Sequence, residues 1–424
     1  MVTSQTGTRS VSTGIVAWCP SEAAPHRYSA ISSPGPSDCR EDSVDFCLEQ
    51  RRLLLRDSIR DFVKKECAST FVREIDRQAE WPATLYEGLA ELGYLGILFP
   101  EEYSGVGCDA LDLALVAEEL SCGCYALAVA YRQSIVLGGM SVALGGADDL
   151  KREVLPSVAE GKTTLTWALT ERDISSDAGY ITTVARPEGG GYVVNGTKMF
   201  IYGADRADHC TVIARTSGEP GDRQGITVLL VPLKGTPGIS MRPLRKMGTW
   251  PVKAFELQLR DVAVPATRVL GTVDEGWSLV RGVLDLEYIA SAASSVGISQ
   301  RMVDDASAYV KQRVQFDTVI GKFQAVAHMV VDMLSDVELM RYMTYRAALM
   351  HAQGLPCTKE VALAKLYCSR SSERVGKNGV QVMGGYGYMA EFDMERNYRD
   401  SRREAFASGS SLELHGLVAK LMGL

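Results

Sequence analysis

The pattern of hydrophobic and polar positions divides the chain into four parts. Residues 1–43 carry almost no periodic apolar pattern. Residues 44–160 repeat apolar positions at helical spacing, 161–271 change to short β-branched runs between Gly and Pro turns, and 272–424 return to helical spacing in longer units. The pattern therefore predicts a helical region, a sheet region and a second helical region.

The first helical region begins with an amphipathic segment at 47–70, CLEQRRLLLRDSIRDFVKKECAST. Its predicted apolar face consists of Leu53, Leu54, Ile59, Phe62 and Val63. Further helices are predicted within 85–100, 111–131 and 147–161. The sequence thus predicts an N-terminal domain built from helices.

Five runs in the middle region read as strands, and three long runs after it read as helices. The strands are predicted at 163–169, 181–196, 209–216, 225–233 and 255–264. The helices are predicted at 277–313, 323–354 and 359–385. The fold class is therefore α+β and mostly α, with domains at 44–160, 161–271 and 272–424.

Composition is that of a soluble enzyme with small-molecule or protein partners. The chain is 46% hydrophobic and 23% charged, its mean hydropathy is −0.01, and we find no apolar run that should span a bilayer. A net charge of −7 and a pI near 5.5 argue against nucleic-acid binding. The ten cysteines form no CxxC pairs, which favours buried thiols in a reducing cytoplasm over a zinc or disulfide framework.

Residues 1–43 are rich in Ser, Thr, Gly, Pro and Ala, and we expect a disordered tail because they offer too little apolar surface to offset chain entropy. An alternative is a mitochondrial transit peptide, since Arg9, Arg27 and Arg40 make the tail weakly basic. Basic residues are too few for this alternative to be preferred.

Several motifs resemble, in order and spacing, those of the acyl-CoA dehydrogenase family. They are LTERDISSD (169–177), YVVNGTKMFIYGADRA (192–207), FQAVAHMVVDM (323–333), QVMGGYGYMAEFDMERNYRD (381–400) and SGSSLEL (408–414). The resemblance implies an N-terminal helical domain, a β-barrel-like middle domain and a C-terminal four-helix bundle. It also implies bound FAD and a homo-oligomer, a dimer or a tetramer.

The catalytic carboxylate of most family members is missing from its usual place. Ser408 stands where the family usually has the Glu that removes the α-proton. The branch that resembles isovaleryl-CoA, long-chain acyl-CoA and prolyl-carrier-protein dehydrogenases carries its Glu on an earlier helix, and Glu287 occupies that position here. Apolar and small neighbours predict a buried Glu287, as a desolvated base requires. We expect Glu404 and Glu413, which match no catalytic position, to have surface or structural roles.

The resemblance also assigns cofactor contacts. The backbone N–H of Ser408 would bind the thioester oxygen together with an FAD hydroxyl, as an oxyanion hole does. Contacts to the flavin ring and pyrophosphate are implied for Trp167, Thr170, Ser176, Phe200 and Tyr202, and for Ser410 near the C-terminus. Phe200 keeps a stacking ring where the family usually has Trp, whereas Tyr202 replaces a much smaller Thr.

The other half of the cofactor is expected to contact a neighbouring protomer. The matching positions are Arg313, Phe316, Gln324, Gln381, Gly384 and Gly385. Asp317 replaces a usual Gly beside them and places an acid near an anion. The paired glycines would let the backbone approach the ligand without a Cβ.

These resemblances imply FAD-dependent α,β-dehydrogenation of a short, branched or amino-acid-derived acyl thioester, on CoA or on a carrier protein. The expected electron acceptor is an electron-transfer flavoprotein. Tyr288 and Trp250 replace usual arginines, which argues against ordinary fatty acyl-CoA, and Arg399 with Asp400 is interpreted as a structural ion pair. Two alternatives stay open: a flavin oxidase or monooxygenase that uses oxygen, and a catalytically silent scaffold.

Removal of residues 1–40 should leave flavin content and turnover within about twofold of the full chain, because that segment lacks a core-forming pattern. Absorbance of bound flavin and steady-state turnover of both proteins would check this. Loss of folding after the truncation would contradict it.

Overall fold

The structure is a computed structural model that describes residues 48–174, 178–407 and 409–424. The predicted disorder of residues 1–43 therefore concerns residues outside the described ranges. Within those ranges the order of helices, sheet and helices follows the prediction.

Seven α-helices form the first region. They are α1 (Gln50–Glu66), α2 (Ser69–Gln78), α3 (Ala83–Glu91), α4 (Ala110–Gly123), α5 (Tyr125–Tyr131), α6 (Met140–Gly145) and α7 (Asp148–Ala159). A π-helical segment, Arg132–Gly139, joins α5 to α6. Helix α4 begins at a reciprocal capping box in which Asp109 and Asp112 each accept a backbone N–H from the other end of the motif.

The predicted apolar face of α1 is partly wrong. Ile59, Phe62 and Val63 are buried, but Leu54 is 63% exposed. Residues five positions apart lie about 140° apart around a helix, so Leu54 cannot share a face with Ile59. Arg52 is buried instead, because it forms ion pairs with acidic residues at the start of α4.

The sequence analysis expected no apolar run that could span a bilayer, and this expectation is wrong for one segment. The continuous helical run Tyr125–Gly145 is long and apolar enough to cross a membrane, judged by length and composition only. Its mean hydropathy reaches 1.3, and 94% of the window is buried inside the fold. The run comprises α5, the π-helical segment and α6, and it serves as a core helix. Its apolar character is accounted for by packing against protein.

The middle region contains an eight-stranded mixed sheet. Its strands are β1 (Leu165–Ala168), β2 (Val184–Glu188), β3 (Gly191–Tyr202), β4 (His209–Arg215), β5 (Ile226–Pro232), β6 (Ile239–Leu244), β7 (Ala254–Pro265) and β8 (Val269–Leu270). The order is β6-β7-β3-β2-β4-β5-β8, with β1 pairing in parallel with β4. All five predicted runs form strands, but the run at 181–196 forms two, β2 and β3, separated by a turn. Strands β6 and β8 were missed, because β6 contains a proline and two charged or polar positions and β8 has only two residues.

A buried ion pair fixes the loop after β1 onto β3. The ammonium of Lys198 donates to Glu171 at 2.8 Å and to the carbonyl of Leu169 at 3.0 Å. Glu171 also accepts the backbone N–H groups of Thr182 and Thr183. Burial alone would raise the pKa of Glu171, but the charge and hydrogen bonds of Lys198 lower that pKa to about 2.

The last region contains three long helices and two short ones. They are α8 (Gly276–Gln312), α9 (Gln324–Ala352), α10 (Thr358–Met383), α11 (Met394–Ser401) and α12 (Ser411–Leu421). A two-stranded hairpin, β9 (Val314–Gln315) and β10 (Thr318–Val319), connects α8 to α9. Helices α8, α9 and α10 pack against one another, α12 packs against α10, and α4 packs along α8.

Glu171→Gln should lower the free energy of unfolding at pH 7 by about 3 kcal/mol, because it leaves the buried Lys198 without its counter-charge. Since the folded pKa of Glu171 lies below its ordinary value of 4.5, its stabilisation is complete above that value and disappears as pH falls towards about 2. Urea denaturation across this acid range would measure both effects. Glu188→Gln, at an exposed end of β2, is the control, and an equal loss there would contradict the assignment.

Candidate functional site

Glu287 lies on the N-terminal third of α8 and is fully buried, which confirms the predicted burial. The sequence prediction missed its partner, Arg132. Nη2 of Arg132 lies 2.5 Å from Oε1 of Glu287, and Nε lies 3.3 Å from Oε2. A single arginine inside the apolar run of residues 125–145 was a usable signal, because a fully buried charge needs a partner. The guanidinium therefore offsets the desolvation of the Glu287 carboxylate.

Glu404 is also fully buried, so the expectation of a surface role is wrong and a structural role is correct. Its carboxylate lies 2.6 Å from Nη1 of Arg132, 3.2 Å from Nη1 of Arg403 and 3.3 Å from Nζ of Lys365. The hydroxyls of Tyr125 and Ser291 donate to the same carboxylate. We call Arg132, Glu287, Lys365, Arg403 and Glu404 the buried charge cluster.

Three cationic side chains determine the charge state of Glu404. Burial alone would raise the pKa of Glu404, but the charges of Arg132, Lys365 and Arg403 hold that pKa well below its usual range. Burial also lowers the pKa of Lys365, against the opposing charge of Glu404. Glu404 is thus an ionised anchor and a poor proton acceptor.

The loop that carries position 408 packs against the helix of Glu287. Ser408 itself lies outside the described residues. Its neighbour Gly409 has φ of +111°, and a Cβ there would come within 2.8 Å of the hydroxyl of Tyr288. Ser410 is the N-cap of α12, where its Oγ accepts the N–H of Glu413 at 3.3 Å. This loop therefore approaches α8 one residue after Glu287.

Four residues predicted to contact the flavin ring lie on neighbouring backbone segments. Trp167 and Thr170 belong to β1 and the loop after it, and Phe200 and Tyr202 belong to the end of β3. The segments are joined by a bond from Oγ1 of Thr166 to the carbonyl of Tyr202 at 2.7 Å. The N–H of Met199 also donates to the carbonyl of Thr170 at 2.8 Å. Ser176, the fifth residue of this group, lies outside the described ranges.

This group suits a flat, partly anionic ring. Phe200 is 59% exposed with φ of +60°, an uncommon conformation that turns a large apolar ring outward. The ring of Tyr202 lies 4.5 Å from the guanidinium of Arg403 and 5.6 Å from the ammonium of Lys246. Nε of Arg403 is buried and has no hydrogen-bond partner in the part of the chain that the structure describes. An apolar ring face, a buried N–H donor and local positive charge are compatible with the predicted FAD.

The second predicted cofactor group lies at one end of the C-terminal helices. The guanidinium of Arg313 is 5.5 Å from the ring of Tyr386, and Phe316 packs edge-to-face on Phe323 with centroids 6.2 Å apart. Its members are all exposed: Arg313, Phe316, Gln324, Gln381, Gly384 and Gly385. Their exposure within one chain suits the prediction that they serve a neighbouring protomer.

Backbone geometry explains two of the glycine positions in these motifs. Phe316 and Asp317 have φ of +52° and +60° at the turn between β9 and β10, so the usual Gly at position 317 suits a left-handed turn. Gly384 has φ of +59° at the end of α10, whereas an added Cβ at Gly384 or Gly385 would meet nothing within 4 Å in this chain. Close approach to the backbone of Gly384 and Gly385 is thus left to a ligand or a second chain.

The predicted ion pair between Arg399 and Asp400 is wrong in its partners. Arg399 pairs with Glu395 at 2.7 Å and with Asp76 at 2.8 Å, and its guanidinium stacks on Trp250. The carboxylate of Asp400 instead accepts the N–H of Thr249, and burial raises the pKa of Asp400 to about 6. The closer partners Glu395 and Asp76 occupy the guanidinium of Arg399, and Asp400 is turned to the backbone of Thr249 instead.

Three family models match most of the chain. They are the N-terminal domain of acyl-CoA dehydrogenase at residues 49–162, its middle domain at 166–262 and its C-terminal domain at 274–422. A relative from Bacillus subtilis, described as probable acyl-CoA dehydrogenase YngJ, is 35% identical over 88% of this chain and 98% of its own length. The Caffeyl-CoA reductase-Etf complex subunit CarC of Acetobacterium woodii is 33% identical over 85% of this chain and 95% of its own length.

Solved structures agree with the sequence comparisons. Butyryl-CoA dehydrogenase from Megasphaera elsdenii superposes with a TM-score of 0.85 at 31% identity, covering 90% of this chain and 100% of the other. The prolyl acyl carrier protein oxidase AnaB superposes with a TM-score of 0.84 at 26% identity, covering 89% of this chain and 100% of the other. The domain matches, the relatives and the shared three-part fold show that this chain belongs to the acyl-CoA dehydrogenase family, whose members are FAD-dependent oxidoreductases acting on CH–CH groups.

Proposed function

We propose that the chain catalyses FAD-dependent α,β-dehydrogenation of an acyl thioester, with Glu287 as the base that removes the α-proton. The observation that carries this proposal is the full burial of Glu287 on α8, beside the loop that bears Ser408. A base at this place can reach the substrate carbon that the usual family Glu would face. Glu404, the other fully buried carboxylate of the cluster, is unsuited to act as the base. The charges of Arg132, Lys365 and Arg403 outweigh the effect of burial and hold its pKa well below the usual range.

The reaction needs an α-proton acceptor and a β-hydride acceptor, and no side chain can accept a hydride. FAD supplies the hydride acceptor when it is bound. Trp167, Thr170, Phe200 and Tyr202 would hold its ring, and the backbone N–H of Ser408 would polarise the thioester oxygen. Glu287 takes the proton at its carboxylate, while the surrounding apolar residues of α8 exclude water from that carboxylate.

The proposed acyl group is short, branched or derived from an amino acid. Arg132 and Tyr288 are among the largest fully buried side chains, and both lie beside Glu287. Their volume leaves less interior space for a long alkyl chain than small residues would. The tether is CoA or a carrier protein, since relatives named for each kind of substrate share the fold.

An electron-transfer flavoprotein is the proposed electron acceptor, because the CarC relative is named as part of an Etf complex. Oxygen is the second candidate, favoured by the two cations beside Tyr202 and by the oxidase named among the structural neighbours. Oxygen consumption with substrate and no added acceptor would favour the oxidase. Turnover that requires an added electron-transfer flavoprotein would favour the dehydrogenase.

A homo-oligomer is proposed to complete the cofactor site. Phe316 is 89% exposed and Tyr388 is 77% exposed, both near the exposed cofactor group at the end of the helical bundle. Large apolar side chains so exposed are typical of residues that a second chain covers. The exposed Arg313 would then face an anionic part of the cofactor bound to that chain.

Phe316→Ser should weaken oligomerisation and lower FAD affinity by at least about tenfold, because buried aromatic anchors dominate interface energies. Light scattering after size exclusion and bound flavin per chain would measure both. Leu54→Ser removes a similarly exposed apolar residue on α1 and should change neither. A monomeric wild type with full flavin would contradict the proposal.

Glu287→Gln should slow flavin reduction by at least about a hundredfold while FAD stays bound, because it preserves shape and removes the general base. Anaerobic rapid mixing with a panel of acyl-CoA and acyl-carrier thioesters, followed by flavin absorbance, would measure the rate. Glu275→Gln, at the exposed start of the same helix, and Ser408→Ala should retain most of it. Unchanged reduction in Glu287→Gln rejects Glu287 as the base.

A further inference from the structure

Arg132 joins two carboxylates from different parts of the fold. One edge of its guanidinium contacts Glu287 through Nη2 and Nε, and Nη1 contacts Glu404 at 2.6 Å. The side chains of all three residues are fully buried. Because a planar guanidinium has fixed donor directions, the position of Glu404 determines where Arg132 can hold Glu287.

Glu404 is the fixed end of this arrangement. Lys365 on α10 donates to its carboxylate and to its backbone carbonyl. The hydroxyls of Tyr125 on α5 and Ser291 on α8 donate to its carboxylate as well. Donors from three helices therefore restrain Glu404 independently of Arg132.

The backbone of Arg132 is restrained as well. It begins the π-helical segment Arg132–Gly139, a rare conformation that often occurs at functional sites. A Cβ at Gly138 would lie 2.4 Å from Cβ of Leu165, and one at Gly139 would lie 2.5 Å from the ring of Phe99. This close packing of the segment against β1 and Phe99 fixes the direction from which Arg132 enters the cluster.

We propose that Arg132 is a positioning residue, which orients the Glu287 carboxylate for proton abstraction and is itself held by Glu404. This inference rests on the proposed function of Glu287. A carboxylate has about four lone-pair sites, two on each oxygen. An oxygen of Glu287 that accepts a hydrogen bond from Arg132 can therefore still accept a proton through its second lone pair. When the α-carbon–hydrogen bond breaks, the proton goes to Glu287 and the electron pair stays with the substrate. Arg132 then keeps Glu404 as its counter-ion.

The test compares Arg132→Gln, Arg132→Lys and Glu404→Gln as full-length, FAD-loaded proteins. The probe is whichever of butyryl-CoA, isovaleryl-CoA and a prolyl carrier-protein thioester reduces the wild-type flavin fastest. Arg132→Gln should lower the limiting rate of flavin reduction by about ten- to a hundredfold, the scale of a misplaced catalytic group. The half-saturating thioester concentration and the flavin content should change less than about threefold, and the α-deuterium isotope effect should rise.

The conservative variant separates positioning from folding. Arg132→Lys keeps the positive charge but loses the paired N–H donors of the planar guanidinium. It should therefore recover part of the rate lost in Arg132→Gln. Glu404→Gln should also lower the rate of flavin reduction, but by less than Arg132→Gln, because Arg132 stays in place but loses the carboxylate that holds it. If Arg132→Gln does not fold, a folded Arg132→Lys that reduces flavin at the wild-type rate still overturns the proposal.

The outcomes for the base and for its positioning residue are distinguishable. Loss of rate in Glu287→Gln with wild-type rates in both Arg132 variants overturns this inference and leaves the proposed base intact. A wild-type rate in Glu287→Gln overturns the proposed base, and this inference with it. Rate loss accompanied by an equal loss of thioester binding would identify Arg132 as a binding residue and also overturn the positioning role.

Discussion

The buried ion pair between Arg132 and Glu404 is the interaction on which the arrangement of the interior depends. It connects the helical run of the N-terminal region to the segment that leads into the last helix. Charges without solvent are tolerated only when partners and hydrogen bonds compensate their desolvation, and breaking such a pair is far more destabilising than its net contribution suggests. The polar interior therefore constrains how the helical layers can pack.

The same cluster connects the candidate base to Tyr202, one of the residues predicted to contact the flavin ring. Glu287 contacts Arg132, Arg132 contacts Glu404, and Glu404 contacts Arg403, whose guanidinium lies over the ring of Tyr202. Each link is an ion pair or a cation–π contact, and such contacts strengthen where water is excluded. Glu287 and Tyr202, two departures from the usual family pattern, thus belong to one connected group. The second predicted cofactor group, at one end of the C-terminal helices, is exposed and suits a site that two chains share.

In the middle sheet a separate buried ion pair holds together the segments of the residues predicted to contact the flavin ring. Lys198 lies on β3 and Glu171 on the loop after β1, so their contact brings Thr170 beside Phe200 and Tyr202. Positive φ values at Phe200, Phe316 and Asp317 show that several motif residues adopt uncommon backbone conformations. Asp317, interpreted from the sequence as an acid near an anion, occupies a turn position whose main requirement is conformational.

Local regularities were sufficient to determine the order of helices and sheet, the five main strands, the three long helices and the burial of Glu287. These follow from periods of 3.6 and 2 residues, which are properties of neighbouring positions. Leu54 was misplaced because it lies about 140° from Ile59 around α1, which the helical period itself excludes from one face. The burial of Arg52 depends on acids at the start of another helix. The long-range partners of Glu287, Glu404 and Arg399 were decided by the tertiary structure alone. Arg132 lies 155 residues from Glu287 and 272 from Glu404, and no period in a sequence reports which distant charges meet. Such charges are paired because the completed fold excludes the water that would otherwise solvate them.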